Sequence, residues 1–167
     1  MEGKLKDQTG RLVIVSSDAH NMAPKNIGVD FHNISAEHKY SAARFYGQSK
    51  LANIAFAKSM SERLADRNII ANSLHPGVIT GTSLFRHTPK PLAWVFSLFS
   101  KTIEQGAATQ CYLAAHSDLT GKTAGYFSHC KLAKVKAPGD DPEFRSRLWR
   151  FSMEIIKKHA PDLDSIT

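Results

Sequence analysis

The chain has 167 residues, 42% hydrophobic and 22% charged, a balance that allows one packed core and excludes a disordered or fibrous protein. Its formal net charge of +7 and pI near 9.5 raise nucleic acid or an anionic membrane as partners, but the basic residues are scattered. The densest groups, Lys131, Lys134, Lys136 and Arg145, Arg147, Arg150, come with no base-reading helix or aromatic platform, so nucleic acid is set aside. An anionic small ligand accounts for the excess equally well.

Met1 to Gly10 is polar and Lys-rich and reads as the tail of a helix before a turn. Leu12-Val13-Ile14-Val15 is a continuous apolar, β-branched run, the pattern of a strand buried on both faces of a parallel sheet, and it ends in Ser16-Ser17. The polar stretch from Ser17 to Tyr40, with Pro24 and Gly28, predicts a long excursion with at most short elements. A helical pattern runs from Ser41 to about Ala65, with Leu51, Ile54, Ala55, the stem of Lys58 and Leu64 on its core face. Ile69 to Leu74 is the next strand, followed by His75 and stopped at Pro76-Gly77.

Val78 to Pro91 reads as a loop and Leu92 to Ser100 as an apolar helix. The run Leu92 to Phe99 is well short of the roughly 20 residues that span a bilayer, so its candidate roles are a flap over a lipophilic substrate, a peripheral membrane contact, or packing against a second subunit. The flap is the preferred reading. Glu104 to His116 predicts a helix able to pack closely through Gly106, Ala107 and Ala108, and Gly125 to Cys130 alternates as a third strand. Asp141-Pro142 supplies an N-cap and a first-turn proline for a last helix with Phe144, Leu148, Phe151 and Ile155 on one face. Strand alternating with helix predicts an α/β fold with right-handed crossovers in a parallel sheet.

Several signals carry less. Cys111 and Cys130 lack Cys-x-x-Cys spacing, so both read as reduced core thiols, with neither disulfide nor zinc. His20, His32 and His38 fit no ligand spacing and read as solvated loop residues, so no metal is expected. Gly121-Lys122-Thr123 ends like a phosphate-binding loop, yet His116 stands where its first glycine belongs. Ser17, Asp18 and His75 have the residue types of a hydrolase triad without the Gly-x-Ser-x-Gly elbow. Asn33-Ile34-Ser35 matches a glycosylation acceptor with no signal peptide ahead of it, and is discounted.

The segment Tyr46-Gly47-Gln48-Ser49-Lys50 is the most informative. Tyr46 and Lys50 lie one turn apart on a helical face, where a cation favours the phenolate. Moving a phenol from its reference pKa of about 10 towards 7 takes roughly 4 kcal/mol. One charge 4 Å away at an effective dielectric of about 20 supplies about that much before desolvation. Ser17, at the carboxyl end of a buried strand, could hold a substrate oxygen while Tyr46 gives or takes the proton.

Gly10 to Ser17, Tyr46 to Asn53, Asn72-Ser73-Leu74-His75-Pro76-Gly77-Val78 and Gln105 to Thr109, taken in order, resemble the short-chain dehydrogenase/reductase family, nearest its retinol-dehydrogenase-like and WW-domain-oxidoreductase-like branch. The resemblance implies that Ser17 polarises a carbonyl, Tyr46 is the general acid/base, and Lys50 binds the nicotinamide ribose while lowering the pKa of Tyr46. It also implies that Pro76, Gly77, Val78 and Ile79 flank the nicotinamide of NAD or NADP, NADP being favoured. The hydroxyl usual at the fifth position after the proline is replaced by Gly81, flanked by Thr80 and Thr82 as candidate substitutes, of which Thr80 is preferred.

The family's Thr-Gly-x-x-x-Gly-x-Gly turn, which holds the pyrophosphate, is not in these residues, nor is the Asn-Asn-Ala-Gly stretch. The chain therefore resembles the carboxyl-terminal half of a Rossmann-like doubly wound sheet, about three strands with flanking helices, as one partial domain over 1–167. That implies an uncovered first strand and marginal stability unless a second copy or a missing half covers it. The expected function is an NAD(P)-dependent oxidoreductase on a lipophilic alcohol/carbonyl pair such as a retinoid or steroid, in the cytoplasm or on the cytosolic face of a membrane. The alternative is a truncated, non-catalytic remnant or interaction module that cannot bind the dinucleotide by itself.

Overall fold

The computed structural model describes residues 9–77 and 102–160. The readings made for residues 1–8, for the loop Val78 to Pro91 and for the helix Leu92 to Ser100 lie outside these residues.

Three parallel strands form the centre of the fold. β1 (Gly10–Val15) pairs with β2 (Ile69–His75) from Gly10↔Ile69 to Val15↔Leu74, and β2 pairs with β3 (Tyr126–Ser128) from Ser73↔Tyr126 to His75↔Ser128. The third strand stops earlier than its alternation predicts, because His129 and Cys130 take φ values of 54° and 59°. Two successive left-handed residues make a tight hairpin turn whose twist matches its strands, and β4 (Lys131–Leu132) returns antiparallel along β3. The sheet order is β1-β2-β3-β4.

Helices cover both faces of the sheet. α1 (Ala42–Arg63) buries Leu51, Ile54 and Ala55 as its spacing predicts, and Leu51 and Ala55 join Ala23, Val29 and Phe144 in one core cluster. On the opposite face Ile70, Leu74 and Phe127 pack with Leu113 of α2 (Ile103–Ala115) and with Leu119. Strand alternation therefore turns the fully buried Ala71 and Ser73 towards α1, where small side chains let the helix lie close. α2 begins with a reciprocal capping box between Thr102 and Gln105.

α3 (Pro142–His159) is capped by Asp141, whose carboxylate accepts from the Glu143 amide, and it packs on α1. Phe144 is buried and Phe151 meets the Phe31 ring at 5.0 Å. Ile155, one turn beyond that last ring contact, is 43% exposed. Neither cysteine is in the core: Cys111 is exposed on α2, and Cys130 is partly buried with Sγ 3.9 Å from Thr109 Oγ1.

β1 is apolar but incompletely covered. Gly10 to Ile14 are only partly buried and Val15 is 42% exposed, because β1 pairs with β2 alone and its outer edge meets no strand among the described residues. The carboxyl ends of β1, β2 and β3 lie side by side, the location at which parallel α/β sheets hold ligands.

Candidate active site

Beyond β1 the chain extends through Ser17 and closes a short 3-10 turn over Asp18–Met22. The Ser17 hydroxyl oxygen accepts from the Ala19 amide at 3.1 Å. Its carbonyl oxygen accepts from the His20 amide at 3.0 Å and lies 2.8 Å from His20 Nδ1. With Oγ already an acceptor, the hydroxyl proton remains available for a substrate oxygen.

Three contacts seat α1 on this segment. A Cβ on Gly47 would lie 2.7 Å from the Ala23 amide nitrogen and 2.8 Å from both the Ala19 carbonyl oxygen and the Met22 carbonyl carbon, so only glycine permits the approach. The Ser16 hydroxyl donates to the Lys50 carbonyl oxygen at 2.7 Å, and the Asn53 amide donates to the Val15 carbonyl oxygen at 3.0 Å. Tyr46 and Lys50 therefore stand on the helical turns docked beside Ser17. Tyr46 is 40% exposed, open to a ligand, and Lys50 Nζ lies 5.3 Å from the centroid of its ring. Among the described residues no carboxylate pairs with that ammonium.

A polar cluster supports the Ser17 turn from the neighbouring strands. The Tyr126 hydroxyl donates to Asp18 Oδ1 at 2.8 Å, the Asp18 amide donates to His75 Nδ1 at 3.3 Å, and His75 Nε2 is 3.4 Å from Asp18 Oδ2. Burial, then the hydrogen bond to Asp18 and its charge, push the Tyr126 phenol strongly up. His20, read from sequence as a solvated loop residue, is instead buried at 3% exposure, edge-on to the Tyr126 ring at 5.1 Å. The apolar ring edge and the Ser17 carbonyl hold it inside. His75 is buried at the strand end, where its Nδ1 accepts from the Asp18 amide.

Pro76 and Gly77 follow β2 directly, with Gly77 at a φ of 94° that favours glycine; Val78, Ile79 and Thr80 lie outside the described residues. The residues present fit the nicotinamide-ribose end of a dinucleotide: an ammonium with no carboxylate partner among the described residues, an exposed phenol and a glycine turn share one end of the sheet. Sequence reasoning missed Ser16, Asn53, Asp18 and Tyr126 as parts of this site. The signal for Ser16 and Asn53 was present, in the residue types flanking the strand end and the Tyr-x-x-x-Lys segment; Tyr126 had none.

Known proteins resemble the chain along most of its length. The chain is 41% identical over 152 residues to short-chain dehydrogenase TIC 32 B of Brassica napus, matching 88% of this chain and 47% of that protein. It is 35% identical over 156 residues to human retinol dehydrogenase 11, matching 92% and 48%. The chain is a relative of the short-chain dehydrogenases. It spans about half the length of the curated relatives it matches. No family model matches it.

An uncharacterized protein from Mycobacterium paratuberculosis shares the fold, with a TM-score of 0.63 at 23% identity over 89% of this chain and 51% of that one. That likeness shows the fold alone, an α/β sheet with flanking helices. Among the described residues no helix is long and apolar enough to cross a membrane.

Proposed function

We propose that this chain supplies the proton-transfer side of an NAD(P)-dependent oxidoreductase acting on an alcohol/carbonyl pair. The observation that carries the reading is the docking of the Tyr46–Lys50 turn onto the Ser17 segment through Gly47 and the Ser16–Lys50 hydrogen bond. In reduction, Ser17 donates a hydrogen bond to the carbonyl oxygen and Tyr46 delivers the proton that completes the alcohol. In oxidation the phenolate takes that proton back. The Lys50 ammonium would hold the ribose hydroxyls and stabilise the phenolate, and Pro76 and Gly77, together with the Val78, Ile79 and Thr80 that the family resemblance adds, would hold the carboxamide. The dinucleotide, when bound, gives or accepts the hydride; family resemblance favours NADP.

The substrate class that fits is lipophilic, a retinoid or a steroid. Relatives named retinol dehydrogenases support this, as does the apolar Leu92 to Phe99 run read as a flap or a peripheral membrane contact. The corresponding location is the cytoplasm or the cytosolic face of a membrane.

The outer edge of β1, which meets no strand among the described residues, favours a second reading, a non-catalytic remnant or interaction module. Calorimetric titration of NAD and NADP into the folded chain separates the two: micromolar binding refutes the remnant, and no binding at millimolar dinucleotide refutes the enzyme reading for this chain.

A further inference from the structure

Tyr126 touches the Ser17 turn twice. Its hydroxyl, on a side chain 2% exposed, donates to Asp18 Oδ1 at 2.8 Å, and its ring takes the edge of His20, whose Nδ1 is 2.8 Å from the Ser17 carbonyl oxygen. The Asp18 carboxylate also faces His75 at the end of β2, so the residues that follow Ser17 are fastened to β2 and β3, strands that the Tyr46 helix also packs against or neighbours. Left alone, a 3-10 turn of five residues following an edge strand is a weak platform.

We infer that Tyr126, acting through Asp18 and His20, is a positioning residue that fixes the Ser17 hydroxyl opposite Tyr46. This deepens the proposed oxidoreductase reading and rests on it for its consequence, but the anchoring itself is independent of turnover. The chemistry of the phenol suits that role. Burial and a neighbouring carboxylate keep it protonated, so the donor persists across the working pH range. Phenylalanine at this position would keep the ring against His20 and remove only the bond to Asp18.

The test is amide hydrogen exchange by NMR on the full chain and its Tyr126→Phe and Asp18→Ala variants. Exchange at Ala19 and His20, whose amides bond to Ser17, is expected to rise at least tenfold in each variant. No further rise is expected in the double variant, and Ile70 and Ala71 in β2 should stay unchanged. Unchanged exchange at Ala19 and His20 overturns the inference, as does an equal rise in β2, which would mark a merely structural core residue. In a preparation that turns over, Tyr126→Phe should lower kcat at least tenfold with KM within twofold. A chain with no turnover removes the oxidoreductase reading while the exchange result still decides the anchoring.

Discussion

The Ser16 hydroxyl donates to the Lys50 carbonyl oxygen at 2.7 Å, joining the end of β1 directly to the turn of α1 that carries the candidate cation. Ser16 is 2% exposed, so no water replaces the bond if it is removed. Ser16→Ala should destabilise the chain by about 1 kcal/mol, the net worth of a buried neutral hydrogen bond. Urea unfolding monitored by circular dichroism checks this, and an unchanged midpoint would show that the tether adds nothing to stability.

Gly47→Ala should do more damage for a small change in volume. The new methyl meets backbone atoms of Ala19, Met22 and Ala23 at 2.7–2.8 Å, atoms that cannot rotate away, so α1 must lift from the Ser17 turn. The expected loss is about 1–3 kcal/mol, the range for overpacking. Gly47→Ala with wild-type stability would mean that the helix and turn are not in contact in solution.

Tyr46→Phe, which deletes one exposed hydroxyl, should leave the unfolding curve in place. In a preparation with carbonyl-reducing activity it should cut kcat by about 10²–10⁴, the usual worth of a general acid. Nicotinamide absorbance gives the rate, and retained turnover would reassign the proton donor.

Tyr126 makes stability depend on alkaline pH. Its phenol is raised in the folded state, so the folded chain holds the proton more tightly than the unfolded chain, whose phenol titrates near its reference value of about 10. Its contribution is fully present below about pH 10 and is lost as pH rises towards the folded value. Stability should therefore fall above about pH 10, and less steeply in Tyr126→Phe. Absorbance at tyrosinate wavelengths should show one phenolate appearing only with unfolding, and Tyr126→Phe should lack it.

The outer edge of β1 predicts association. Apolar strand residues whose outer edge meets no strand among the described residues favour pairing with another chain, and Val15→Lys places a charge where the strand is 42% exposed. Sedimentation velocity should show concentration-dependent association of the wild-type chain and a larger monomer fraction in Val15→Lys. A wild-type monomer that unfolds cooperatively at high temperature would show that the edge is already covered.

The sequence by itself determined the alternation of strand and helix, the parallel strands and the family resemblance, and it nominated Ser17, Tyr46 and Lys50 for the proposed site, because strands and helices are written in local periodicity and the motifs in short runs of residues. The ends of β1, β2, α1 and α2 fell within a residue or two of expectation for that reason. The strand after Gly125 came out shorter, since the turn at His129-Cys130 lacks the glycine or asparagine by which such turns are usually read. Only the tertiary structure decided that Gly47 lies against the Ser17 turn, that His20 is buried, and that Tyr126 reaches Asp18 from 108 residues away. Those contacts join segments remote in sequence, and their strength comes from burial and close approach, which exist only once the sheet has brought the strand ends together.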